Sequence, residues 1–106
     1  MYSVIISPSA NLDLFNILRY IAEKLCNSQA ASNLADGIEK CYSDLAAFPS
    51  AYGFCDDPLL RQLGYRKYLV GNYLVVFRVV EGVNEVRVVH IFHETQDYIG
   101  IQKSEL

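Results

Sequence analysis

The sequence predicts an α+β domain of order β-α-α-β-β-β, a helical hairpin packed on an antiparallel sheet, with residues 1–106 forming one domain. Two patterns carry that prediction. Apolar residues recur at helical spacing through two segments between residues 8 and 47, and residues 64–93 hold three β-rich runs joined by tight-turn residues. A chain of 106 residues has room for a single core that folds without disulfides or metal.

Residues 2–6, Tyr-Ser-Val-Ile-Ile, are a short β-branched run closed by Ser7-Pro8. Ser is a preferred N-cap and Pro fits the first helical position, so the same dipeptide opens a helix. From Ala10 to Leu25 the residues Leu14, Ile17, Leu18, Ile21 and Leu25 repeat every three or four positions, the mark of one buried helix face. This helix ends near Cys26-Asn27. Ser28 caps a second helix running to about Ala47, with Leu34, Ile38, Cys41 and Leu45 on the apolar face and Asp36, Glu39, Lys40 and Asp44 between them. Gly37 costs that helix roughly 1 kcal/mol relative to Ala. Phe48-Pro49 stops it, and the short connection makes the pair an antiparallel hairpin.

Residues 49–63 read as a loop with one helical turn after Asp57-Pro58. Adjacent Asp56 and Asp57 before a Pro form a turn and helix cap rather than a working carboxylate pair. Three runs follow, Gly64–Val70, Tyr73–Val80 and Glu85–Phe92, separated by Gly71-Asn72 and by residues 81–84, which suit tight hairpins. In the second run Tyr73, Val75, Phe77 and Val79 share one face, and Leu74, Val76, Arg78 and Val80 the other. In the third, Val86, Val88, His90 and Phe92 lie opposite Arg87, Val89, Ile91 and His93. Both faces are mostly apolar, as in strands covered on both sides, with Arg78 and His90 as polar interruptions.

The composition, 52% hydrophobic and 20% charged, is that of a soluble globular chain, and no apolar run is long enough to span a membrane. The N-terminus lacks a basic region followed by a sustained apolar stretch, so a cytoplasmic location is expected. Cys26, Cys41 and Cys55 match no zinc spacing and are expected to be reduced thiols, Cys41 within the core. His90 and His93, three apart on a strand, point to opposite faces and cannot share an ion. No metal or cofactor is expected. A net charge of −3 argues against a general nucleic-acid binder. Yet between Pro58 and Val80 there are four basic residues and no acidic one. Arg61, Arg66, Lys67 and Arg78, with His90 on the open sheet face and Arg87 nearby, form a candidate contact patch; the competing reading is a solvated rim with ion pairs to Glu81 and Glu85.

The order and spacing of these residues resemble the RelE/ParE superfamily of bacterial toxins over nearly the whole chain. The matching pieces are Ser7-x-x-Ala10-x-x-Asp13-Leu14, Ile17-x-x-Tyr20-Ile21, Leu45-x-x-Phe48-Pro49, Gly64-Tyr65-Arg66, the run from Tyr73 to Val79, and His93-x-x-x-Asp97-Tyr98. The resemblance implies the toxin of a type II toxin–antitoxin pair, neutralised by a cognate antitoxin. One branch of the superfamily cleaves messenger RNA in the ribosomal A site; the other poisons DNA gyrase. For a ribonuclease, the resemblance points to Lys67, His93 and Tyr98 as the groups that hold phosphate and move protons. Two basic positions of that branch are occupied here by Leu74 and Glu94. The strand from Tyr73 to Val79 and the His93-to-Tyr98 ending are closer to the ParE side, which implies inhibition by protein binding; the alternatives are ribosome-dependent cleavage of messenger RNA and a diverged, non-toxic module that keeps only partner binding.

Overall fold

The computed structural model describes residues 1–95. Strand β1 (Ser3–Ile6) leads into helix α1 (Pro8–Arg19), whose N-cap Ser7 accepts from the Ala10 N–H at 3.0 Å. A π-helical turn, Tyr20–Lys24, extends α1 and buries Ile21. Cys26 then takes a positive φ of 50°, and the chain reverses at once into α2 (Ser28–Ala47). The cap of α2 is Asn27 rather than the expected Ser28, its side chain accepting from the Ala30 N–H at 3.0 Å. Asp57 caps the short helix α3 (Pro58–Gln62) in the same way.

The strands β2 (Tyr65–Val70), β3 (Tyr73–Val80) and β4 (Glu85–His93) form the predicted antiparallel meander. β1 adds to it parallel to β4, so the mixed sheet runs β1-β4-β3-β2. The helical hairpin covers one face. There Ile38, Cys41 and Leu45 of α2 and Ala10 of α1 meet Val75, Phe77, Val86, Val88 and Ile91, all essentially inaccessible. Gly37 permits this approach, because a Cβ there would lie 2.6 Å from Val70 Cγ1. The segment around α3 folds over part of the opposite face, where Cys55 and Leu60 pack on Tyr65, Val76 and Phe92.

One irregularity changes which residues face the helices. Val76 pairs with His90 but Phe77 pairs with Val88, leaving Val89 as an extra residue in β4. A bulge of this kind shifts the alternation by one position. Ile91 therefore joins Val86 and Val88 beneath the helices, instead of sharing a face with Arg87 as strict alternation predicts. His90 and Phe92 move to the face away from the helices.

β1 covers β4 only as far as Val88. An unprotected strand edge leaves backbone groups without partners. Beyond that point the start of α1 takes over: the Ser7 N–H donates to Val88 O at 2.9 Å, the Ser7 hydroxyl to Val89 O at 2.9 Å, and Asp13 Oδ2 accepts the Ile91 N–H at 3.0 Å. Asp13 thus stands where a neighbouring strand's carbonyl would.

Candidate functional site

The expected basic patch is divided by the fold. β2 alternates, so Lys67, opposite Val76, lies on the sheet face away from the helices, whereas Arg66, opposite Phe77, lies on the helix-side face. Arg66 is further tied down by the loop before α3, where its guanidinium donates to Tyr52 O and sits 4.0 Å from the Phe54 ring centroid. Arg61, on α3, donates through Nε to Cys55 O at 3.2 Å. Both arginines hold the 52–61 segment against the sheet.

Lys67 lines an open cleft of about 500 Å³ with Gly53, Asp56, Leu69, Leu74, Glu94 and Thr95. Its Nζ is 2.9 Å from Asp56 Oδ2, and this contact holds the Asp56 carboxyl below the usual carboxylate range. Glu94 contributes a second carboxylate to the walls. Among the described residues, one cation facing two carboxylates on a floor of Leu69 and Leu74 does not build the positive field that a transferring phosphate needs.

His93, the second candidate ribonuclease group, is not beside Lys67. His93 pairs with Tyr73 on the helix-side face, its ring edge-on to Tyr73 at 5.3 Å and its Nδ1 2.8 Å from the Thr95 hydroxyl. Tyr98 lies outside the described residues.

His90 is not a surface contact residue, contrary to the sequence-based expectation. It is 4% exposed, with Nδ1 2.9 Å from Asp13 Oδ2. An ionised carboxylate only accepts, so Nδ1 carries the proton in this pair. Strict alternation along β4 misplaces the residue, because the bulge at Val89 shifts its face, and it does not show that Asp13 of α1 reaches the ring across the strand edge. The signal that existed was Asp13, a carboxylate one helical turn into an otherwise apolar face.

Arg78 and Arg87 stand directly opposite each other on β3 and β4, facing away from the helices. Glu85 accepts from Arg87 at 3.1 Å through Nε and 3.0 Å through Nη2. Arg78 has no carboxylate partner among the described residues; its guanidinium lies 5.8 Å from the Tyr65 ring centroid.

The buried cysteines are poor nucleophiles. Burial pushes the Cys41 thiol up to about 12 and the Cys55 thiol up to about 11, and the thiolate is the reactive form. Cys26 is exposed. Among the described residues, no three His, Cys, Asp or Glu side chains gather where a metal ion could be held. No helix of the described residues is long and apolar enough to cross a membrane.

A helical hairpin on a four-stranded mixed sheet is an architecture shared with solved toxin structures. The chain aligns with a chromosomal ParDE toxin–antitoxin system from P. aeruginosa at TM-score 0.68 and 18% identity, covering 88% of this chain and 96% of that one. A RelBE toxin–antitoxin complex from Mycobacterium tuberculosis aligns at 0.61 and 22%, covering 87% and 96%. The isolated E. coli RelE toxin aligns at 0.54 and 12%, covering 99% and 97%. At these identities the likeness establishes the fold. No curated protein matches significantly. The family model of the ParE toxin of the type II toxin–antitoxin system, parDE, matches residues 4–98, and the chain belongs to that family.

Proposed function

We propose that this chain is a growth inhibitor that acts by binding a protein target, with DNA gyrase as the implied target, and that a cognate antitoxin neutralises it. Family membership supports the toxin reading, and the solved relatives from P. aeruginosa and M. tuberculosis are toxin–antitoxin systems. The observation that carries binding over RNA cleavage is the Lys67 cleft. Among the described residues its one cation, Lys67, is paired with Asp56, Glu94 lines the same walls, and His93 lies on the other sheet face. Ribonuclease chemistry on a phosphodiester needs a proton-moving group beside several fixed positive charges.

Purified full-length chain is tested against purified gyrase in a DNA supercoiling assay, and in parallel against messenger RNA in a bacterial translation extract. The expected result is loss of supercoiling that added antitoxin restores, with the message left intact. Codon-register cleavage of the message in the extract, with supercoiling unaffected, would replace this reading by ribosome-dependent cleavage.

A further inference from the structure

We infer that the paired guanidinium groups of Arg78 and Arg87 form a docking point for an acidic side chain of the antitoxin, an inference that rests on the toxin–antitoxin reading above. The two residues are register partners on adjacent antiparallel strands. Residues so placed have Cβ atoms about 4.5–5.5 Å apart, and like charges there repel. The fold relieves only half of that repulsion. Glu85 engages Arg87, while Arg78 faces Tyr65, the next residue in the same cross-strand row, and has no carboxylate among the described residues. One positive charge is thus left over, beside an Arg87 side chain that is itself half exposed.

The surroundings indicate the chemistry of the occupant. On the far side of Arg87 the row continues to Ile5 of β1, 47% exposed, and Val80 stands opposite Glu85 in the neighbouring row. A forked guanidinium takes a carboxylate through two parallel hydrogen bonds. Ile5 and Val80 offer apolar contact to the residues flanking such a carboxylate. The site therefore fits an Asp or Glu within an otherwise apolar protein segment. A nucleic acid fits it poorly: polyanion binding draws on several cations along a track, and here one charge is uncompensated among the described residues, on a chain of net charge −3. A partner bound for most of the protein's lifetime suits it best, since the repulsion persists whenever the site is empty. In a toxin held inactive, that partner is the antitoxin.

The test is titration calorimetry of the full chain against its purified cognate antitoxin, at two salt concentrations. Wild type is compared with Arg78→Gln, Arg87→Gln and the double variant. The double variant is expected to raise Kd by about tenfold or more, the equivalent of one charge-assisted contact, and to bind with a weaker salt dependence. Its unliganded Tm is expected to equal or exceed that of wild type, because the substitution removes a like-charge pair. A double-variant Kd within twofold of wild type overturns the docking point while leaving the toxin–antitoxin reading intact. Loss of gyrase inhibition with antitoxin binding unchanged also overturns it, placing the target there instead. Absence of wild-type binding to the antitoxin marks failure of the underlying reading, and the inference falls with it.

Discussion

The two faces of this sheet are built from the same strands to opposite purposes. Beneath the helices β3 and β4 present only apolar and aromatic side chains up to Ile91, with Val75, Phe77, Val86, Val88 and Ile91 essentially inaccessible. On the other face the same strands carry Arg78, Arg87 and Glu85, and β2 carries Lys67. The α3 segment covers the middle of that face, leaving charge at both ends. Lys67 is neutralised by Asp56, whereas Arg78 has no carboxylate partner among the described residues. A run of basic residues in sequence is thus not a basic surface. Strand alternation sends Arg66 to the helix side, and pairing decides which remaining cations are available.

Neighbouring residues of β3 give the sharpest way to break this contrast. Phe77→Ala is expected to cost about 3–5 kcal/mol, the range for emptying an aromatic core position, measured by urea unfolding, while Arg78→Gln one position along stays within about 0.5 kcal/mol of wild type. Equal losses at the two positions would mean that the outer face is as tightly packed as the inner one.

Next in size is Asp13→Ala. It removes the acceptor of the Ile91 N–H and of the His90 ring at the uncovered edge of β4, for an expected loss of about 1.5–3 kcal/mol. Faster amide exchange at Ile91 than at Val88 is the accompanying signature, since β1 still protects the first part of β4, as far as Val88.

Gly37→Ala is the smallest effect. Helix propensity alone favours Ala by about 1 kcal/mol, but the added Cβ meets Val70, a β-branched residue with little freedom to yield. The expected outcome is a net loss of about 1 kcal/mol, within the range for overpacked sites. A gain in Tm would show that α2 can move away from β2 without penalty.

Much of the fold was legible because its signals are local. Ser7-Pro8 and Asp57-Pro58 cap helices where the sequence places caps, and Gly71-Asn72 turns β2 into β3. The pairing of β1 with β4 was not legible, since a four-residue strand carries no mark of its partner. Nor was the bulge at Val89, where neither glycine nor proline interrupts the run of valines. That single extra residue decides the faces of His90 and Ile91. The candidate site suffered most for this reason: its residue types were visible, but their grouping depends on non-local pairing. Arg78 emerged as a polar interruption in an apolar strand, whereas its register partner Arg87 stood at the margin of the proposed patch until the pairing joined them.

The most direct test of inhibition through protein binding is pulse incorporation of labelled thymidine and labelled amino acid, within minutes of inducing the full chain in a bacterial host without its antitoxin. Gyrase inhibition predicts that thymidine incorporation falls first, with protein synthesis following later. An immediate fall in amino-acid incorporation, with thymidine incorporation still running, would contradict it and return the Lys67 cleft to consideration as a ribonuclease site.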